Sequence, residues 1–221
     1  MAGPYLLTRP TTMRHTGAML ITGFGAFGRV EDNPSAHLAR DLDPGATILR
    51  VDWREVAEFA QALPRGETIL ALGVAANRAE PTYELFAHNA ADPRPDVDGE
   101  FWPLREIVPG APASLGATFL TPEELSGLTM RTSYSPGGYL CNFILYRLLW
   151  ELRGTGTRIG FVHVAPFEAC PRETQLTALQ GLVASIGKGG NGQIGDGSEG
   201  VMGAGSAAGA AATSSSSTMN S

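Results

Sequence analysis

The sequence predicts an α/β fold: a single-domain α/β/α sandwich whose central sheet is largely parallel. Short apolar runs alternate with stretches of helical pattern, as in strand–helix crossovers. Several of these runs are apolar on both faces, as the buried strands of a parallel sheet are. The length of 221 residues allows one domain with a sizeable core, and a charged fraction of 17% is compatible with a globular chain.

The two ends of the chain differ in composition from the part between them. Residues 1–18 contain no acidic residue and lack the apolar stretch of a secretory signal, so we expect a disordered extension. Residues 187–221 are rich in Gly, Ala and Ser and cannot bury enough apolar area to offset the entropy of ordering them. The folded domain is therefore expected at 19–186, followed by a disordered tail.

The elements of this domain are predicted in chain order from apolar runs and end signals. Strands are expected at 18–24, 46–53, 68–74, 130–135 and 158–164. The first helix is expected to begin at Pro34, with Asn33 as its N-cap. Further helices are expected at 55–63, 139–153 and 173–186, and a long ordered loop at 92–122. Because sites in such folds lie at the carboxyl ends of parallel strands, residues there are the first candidates.

Charge and cysteine content exclude several classes of function. The net charge of −6 gives no electrostatic reason to expect nucleic acid or an anionic membrane as a partner. No run approaches the roughly eighteen apolar residues of a membrane span. Two cysteines, Cys141 and Cys170, are too few for a disulfide framework or a cysteine-rich zinc site.

A glycine-rich turn follows the first strand and admits two interpretations. Gly23 to Gly28 match G-x-G-x-x-G, and Asp52 stands where a ribose-binding acid belongs, which would indicate a dinucleotide-dependent enzyme. However, four residues separate the motif from the expected helix start, whereas a pyrophosphate needs the helix N-terminus itself. Phe24 and Phe27 are also unusual in a turn that must approach phosphates, so this interpretation is the less favoured one.

Three residues together predict nucleophilic catalysis. Cys141 lies at the start of the helix at 139–153, where the positive end of the helix favours a thiolate. His163 ends the apolar strand at 158–164, and Glu84 follows the third strand. Singly they could be a buried thiol, a satisfied core histidine and a solvated acid. Together they supply a nucleophile, a base and an acid that fixes the tautomer of the base.

Four segments in this order carry a family resemblance: LITGFGAFGRVEDNPS, GVAANRAEPTYELFAHN, YSPGGYLCN and GFVHV. They resemble the pyroglutamyl peptidase I family, also called pyrrolidone-carboxylate peptidases, from about Met19 to Val164. The resemblance implies a cytoplasmic cysteine exopeptidase that removes an N-terminal pyroglutamyl residue through a thioacyl-enzyme. It also implies an α/β/α sandwich, a pyroglutamyl peptide as substrate, and no metal or cofactor.

The resemblance assigns roles by position. It implies that the nucleophile, the base and the acid are Cys141, His163 and Glu84. Phe24 and Phe27 fall on phenylalanines that enclose the pyrrolidone ring, and Arg94 falls on an arginine near the oxyanion. Aromatic faces suit a flat, neutral lactam. We further expect backbone groups of residues 73–78 to bond the lactam and the Cys141 N–H to stabilise the oxyanion.

The chain departs from the family pattern at several positions. The differing residues are Ala26, Leu85, Pro136 and Ala165, and Asn77-Arg78 after two alanines replaces the usual GGR. No departure removes a catalytic atom, but together they can reshape the pocket. A divergent member that has changed or lost its substrate and acts as a binding protein therefore stays an alternative. Leaving-group preference and oligomeric state, including a homo-oligomer, are left open.

Overall fold

The structure, a computed structural model, describes residues 19–186. The predicted N-terminal extension and the predicted C-terminal tail lie outside the described residues. The strands of the described part are β1 (Met19–Phe24), β2 (Thr47–Leu49), β3 (Thr68–Val74), β4 (Thr82–Glu84), β5 (Phe86–His88), β6 (Ser114–Gly116), β7 (Arg131–Ser133) and β8 (Arg158–Val164). Its helices are α1 (Pro34–Leu42), α2 (Trp53–Ala62), α3 (Pro122–Ser126), α4 (Leu140–Glu151) and α5 (Arg172–Ser185).

Six strands form one sheet in the order β2-β1-β3-β8-β4-β7. All neighbouring pairs are parallel except β4 and β8, which are antiparallel. One core cluster joins the sheet to α2 and α4, and a second joins it to α1 and α5. The predicted α/β/α sandwich with a largely parallel sheet is therefore confirmed.

The central strands β3 and β8 have the bounds that their sequences predicted. Their inner residues are buried on both faces, since helices cover both sides of the sheet. They run parallel in a register that places Gly73 opposite His163. Side chains alternate between the two faces, so Ile159, Phe161 and His163 share the face covered by α4.

The stretch at 92–122 is the predicted ordered loop, with one short strand that the sequence did not predict. It contains β6, which pairs antiparallel with β5 beside α4. A three-residue strand is too short to display an alternating pattern, so its pairing partner rather than its sequence determines it.

The start of α1 follows the sequence prediction. Asn33 is the N-cap, and its side-chain oxygen accepts a hydrogen bond from the Ser35 N–H at 3.0 Å, with Pro34 as the first helical residue. The Asn33 amide donates to the Gly25 carbonyl at 2.8 Å, and the Phe24 N–H donates to the Ser35 hydroxyl at 3.0 Å. These bonds close the glycine-rich turn onto the first turn of α1.

Candidate active site

Cys141 and His163 are brought together by β8 and the helix that covers it. His163 is the second-last residue of β8, and Cys141 is the second residue of α4, which packs on the same face. Gly73 on the adjacent strand makes the room that the thiol occupies. A Cβ there would lie 2.7 Å from the Cys141 sulfur and 2.7 Å from Cζ of Phe161. The site therefore requires glycine at position 73, because any side chain there would overlap the thiol.

Glu84 contacts His163 by a route that the sequence did not predict. The Nδ1 of His163 lies 2.8 Å from Oε1 of Glu84, whose side chain is fully buried. We expected Glu84 just after a parallel strand, at the carboxyl edge of the sheet. It instead lies in β4, which turns back antiparallel to β8 and pairs Thr82 with His163. Glu84 therefore shares the face of His163 two residues further along β4.

The electrostatics of this group favour a charged histidine. Burial favours the neutral ring, but the charge and hydrogen bond of Cys141, together with those of Glu84, outweigh it and raise the pKa of His163 to about 9. Burial also opposes ionisation of Glu84, yet hydrogen bonds from His163 and Ser133 and the charges of His163 and Arg78 lower its pKa. Because Nδ1 engages Glu84, Nε2 is the ring nitrogen left for the thiol.

Arg78 is a site residue that sequence reasoning missed. One guanidinium nitrogen, Nη2, donates to Oε1 of Glu84 at 2.9 Å and to the Ser133 hydroxyl at 2.9 Å. Only backbone groups were expected from residues 73–78. The available signal was that this arginine is retained where the rest of the GGR pattern is lost.

A cavity of about 810 Å³ opens beside the thiol. Its walls include Phe27, Val74, Asn77, Arg78, Arg94, Cys141, His163 and Phe167. The guanidinium of Arg94 lies 4.4 Å from the ring centre of Tyr139, directly before the helix that carries Cys141. Arg94 and Cys141 thus line the same cavity.

The two phenylalanines of the glycine-rich turn have different surroundings. Phe27 lines the cavity, as the prediction of a binding residue requires. Phe24 does not: it is only 3% exposed and packs in the core cluster beneath α2 and α4. As the last residue of β1, Phe24 points its side chain into the core, while the turn reaches outward three residues later, so a role for Phe24 in binding stays a prediction.

The features that suggested a dinucleotide site have structural roles. The carboxylate of Asp52 caps α2, accepting the N–H groups of Arg54 and Glu55 at 2.8 Å each. The helix after the glycine-rich turn begins only at Pro34. Neither the acid nor a helix N-terminus is arranged as a dinucleotide requires.

Asn142 fixes the helix start that carries Cys141. It is fully buried; its side-chain oxygen accepts the His88 N–H, and its amide donates to the carbonyls of His88 and Ala90, each at 2.8 Å. These three bonds hold the first turn of α4 against the segment that leads to Arg94.

Gln175 fixes the loop after His163 from the opposite face of the sheet. Its side-chain oxygen accepts the Ala165 N–H at 2.8 Å, and its amide donates to the carbonyls of Ala165 at 3.0 Å and Cys170 at 2.7 Å. The N–H at 165 exists because alanine stands where the family usually has proline. This departure therefore creates a hydrogen bond instead of leaving a defect.

Two features are absent from residues 19–186. Within this range no group of three or more His, Cys, Asp or Glu side chains is placed to hold a metal ion. No helix in the same range has the length and apolar character needed to cross a membrane.

Comparison with known proteins agrees with this geometry. The family model described as "Pyroglutamyl peptidase" matches residues 17–177. The chain is similar to the pyrrolidone-carboxylate peptidase of Chromobacterium violaceum, with 38% identity over 67% of this chain and 77% of that protein. It is 31% identical to the enzyme of that name from Pyrococcus furiosus, over 66% of this chain and 79% of the other. The crystal structure of pyrrolidone carboxyl peptidase from Thermus thermophilus superposes with a TM-score of 0.62 at 32% identity, covering 76% of this chain and 99% of that one.

Proposed function

The chain belongs to the pyroglutamyl peptidase family, and we propose that its domain at 19–186 removes the N-terminal pyroglutamyl residue from peptides with Cys141 as the nucleophile. The observation that carries the proposal is the continuous contact from Cys141 through His163 to the buried Glu84, at the wall of the cavity. A thiol, an imidazole and a carboxylate in this order are the parts of a cysteine hydrolase.

The acylation step uses the charge state that the site favours. The sulfur of Cys141 attacks the carbonyl carbon of the pyroglutamyl–X amide, a C–S bond forms, and the carbonyl oxygen becomes an oxyanion. When the intermediate collapses the C–N bond breaks, and protonated His163 gives its Nε2 proton to the leaving amine. Glu84 keeps Nδ1 protonated and the ring oriented throughout.

Deacylation returns the site to its starting state. A water molecule gives a proton to Nε2 of His163 and attacks the thioester carbonyl. The C–S bond breaks, pyroglutamate leaves, and the thiolate and imidazolium form again.

The oxyanion lies where α4 begins. No side chain caps the first turn at Tyr139, so the N–H of Cys141 is one of the helix donors without an intrahelical partner. A donor aimed at developing charge stabilises a tetrahedral intermediate more than it stabilises the substrate. Arg94, above the Tyr139 ring, adds positive charge on the same side.

The lactam ring suits the inner part of this cavity. It is neutral, so no fixed charge is required to bind it, and Phe27 offers an aromatic face. Residues 74–78 also line the cavity, and their backbone groups would be the partners of the lactam N–H and carbonyl. The assignment depends on Phe27 alone, because Phe24 belongs to the core.

A fluorogenic pyroglutamyl amide tests the reaction directly. We expect hydrolysis by the wild-type chain and a loss of at least about a thousandfold in Cys141→Ser. Cys170→Ser is the matched control. Cys170 is only 6% exposed and burial raises the pKa of its thiol, so the activity of this variant should match that of wild type. A folded wild-type protein that does not cleave this amide would overturn the substrate assignment.

Alkylation separates the peptidase from the alternative of a divergent binding protein. In the Cys170→Ser background, iodoacetamide should modify Cys141 at neutral pH much faster than it modifies free cysteine. Equal or slower modification would favour the binding-protein alternative. Fast modification without hydrolysis would retain the cysteine chemistry and direct the search to another acyl group.

We also propose a reducing compartment, the cytoplasm, as the site of action. A nucleophilic thiol beside an imidazole is readily oxidised, so activity needs an environment that keeps Cys141 reduced. Mild peroxide should inactivate the enzyme and dithiothreitol should restore it. Inactivation that persists unchanged in dithiothreitol after one equivalent of peroxide would contradict reversible oxidation at Cys141.

A further inference from the structure

We propose that Arg78 is a positioning residue of this site: it holds the Glu84 carboxylate in place and neutralises it, so that Glu84 can orient His163 throughout the reaction. The inference builds on the proposed function, because it assumes that Cys141, His163 and Glu84 form the reacting group. It adds a fourth residue that touches Glu84 and acts through it.

The contacts converge on one atom. Oε1 of Glu84 accepts both from Nδ1 of His163 at 2.8 Å and from Nη2 of Arg78 at 2.9 Å. Glu84 is fully buried, whereas the Arg78 side chain is 26% exposed. The carboxylate therefore has a second cationic partner at the same oxygen that contacts the histidine.

Arg78 is itself held from two directions. The Ser133 hydroxyl on β7 accepts from the same guanidinium nitrogen at 2.9 Å. On the other side, the Arg78 N–H donates to the carbonyl of Ala75, whose own N–H donates to the carbonyl of Val164, both at 3.0 Å. The arginine is thereby tied to β7 and to the end of the strand that carries His163.

The need for Arg78 follows from the charge changes of the reaction. The groups facing Glu84 are His163 from β8, Arg78 from the connection before β4, and Ser133 from β7, while Cys141 from α4 faces His163. When His163 gives its proton to the leaving amine, the histidine becomes neutral. Without Arg78, Glu84 would then be a buried anion with no cation beside it, which is unfavourable. Arg78 supplies a positive charge that does not change during the cycle.

Variants of Arg78 test this role through its dependence on Glu84. Arg78→Met should lower kcat/KM at least about fivefold, with an intermediate loss in Arg78→Lys. In a Glu84→Gln background, the same Arg78→Met change should cost no more than about twofold, because there is no carboxylate to hold. An equal loss in both backgrounds would overturn the proposal and indicate that Arg78 binds substrate or supports its loop.

The pH profile supplies a second readout. The charge of Arg78 helps to lower the pKa of Glu84, so its removal should move to higher pH the point at which protonation of Glu84 reduces kcat/KM. Arg131→Met is the matched control, since Arg131 is 73% exposed and pairs at 3.2 Å with Glu80, which lies just before β4. An unshifted acid limb in Arg78→Met would overturn the proposal. Should that variant not fold, Arg78→Gln carries the same comparison.

Alkylation distinguishes failure of this inference from failure of the proposed function. The rate of Cys141 alkylation by iodoacetamide against pH, measured in Cys170→Ser, depends on the thiol and imidazole and needs no substrate. Arg78→Met should change this profile even if pyroglutamyl amides are not cleaved, because Glu84 would no longer be held against His163. An identical profile with and without Arg78 would overturn the role of Arg78 while leaving the peptidase assignment intact.

Discussion

The helices α1 and α4 both follow glycine-rich turns, yet they begin differently. At α1, the Asn33 side chain accepts from the first turn, and its amide closes the preceding turn at Gly25. At α4, the residue in the capping position is Tyr139, whose side chain makes no bond to the helix and donates instead to the Pro95 carbonyl at 2.8 Å.

This difference separates a structural helix start from a chemical one. At α1 the Asn33 side chain accepts the Ser35 N–H, so this donor is satisfied within the fold and is not available to a ligand. Without such a cap at α4, the N–H groups beside Cys141 stay available to a substrate. Both turns contain glycine residues, so the presence or absence of a side-chain cap is what distinguishes the two helix starts.

The largest effect is expected from removing the negative charge of Glu84, which contacts His163 beside the start of α4. Glu84→Gln should lower kcat/KM by about a thousandfold or more. It should also shift the alkaline limb. In wild type, the pKa of His163 is raised to about 9, so activity should fall only as pH rises through that value. Without the Glu84 charge the limb should move down by about one unit or more. An alkaline limb unchanged in a pH–rate profile would contradict this account.

Adding a cap to α4 tests the comparison itself. Tyr139→Ser and Tyr139→Ala lose the same ring contacts, but only serine can accept the N–H of Cys141 or Asn142. The serine variant should unfold at a higher denaturant concentration than the alanine variant, because its free energy of unfolding should be larger by about 0.5–2 kcal/mol. Its kcat/KM should nevertheless be lower by about a hundredfold, because the oxyanion donor is occupied. A serine variant as active as the alanine variant would show that these donors are not used.

Gly73→Ala tests the space reserved for the sulfur. The added methyl would overlap the Cys141 sulfur and the Phe161 ring, and we expect a loss of about 1–3 kcal/mol in unfolding free energy. Displacement of the sulfur should cost up to about a hundredfold in kcat/KM. Gly181→Ala, where no atom lies within 4 Å of the added Cβ, is the control for a glycine change. Full activity in Gly73→Ala would refute the steric argument.

The smallest effect on activity is expected at the α1 end. Asn33→Ala removes a buried cap and should lower the unfolding free energy by about 2 kcal/mol. Because this helix start serves the fold, kcat/KM of the folded variant should remain within about threefold of wild type. A large loss of activity with unchanged urea denaturation would erase the distinction between the two helix starts.

The sequence predicted the elements that consist of a long apolar run or that begin with a specific capping residue. The bounds of β3 and β8, the Asn33 cap and the position of Cys141 at a helix start all follow from residues close in the chain. Because neighbouring parallel strands end at the same edge of the sheet, the position of the end of β8 at this edge could also be predicted.

The missed features depend on contacts between distant segments. β4 is three residues long and its antiparallel direction comes from pairing with β8, so the position of Glu84 beside His163 could not be predicted from its own segment. Arg78 gains its role only when β7 and β4 meet beside it. Phe24 and Phe27 share one motif, and only the packing of the last β1 residue into the core separates them.

The hydrogen bond from the Ala165 N–H to the Gln175 side chain limits which segments can be exchanged between members of the family. A loop with proline at 165 has no N–H for the Gln175 side chain, which would leave a buried acceptor unpaired. The side chain at 175 is therefore matched to the residue at 165, ten positions earlier in the chain. A graft from a proline-bearing relative into this chain should succeed only when the segment from 165 to the first turns of α5 is transferred as one block.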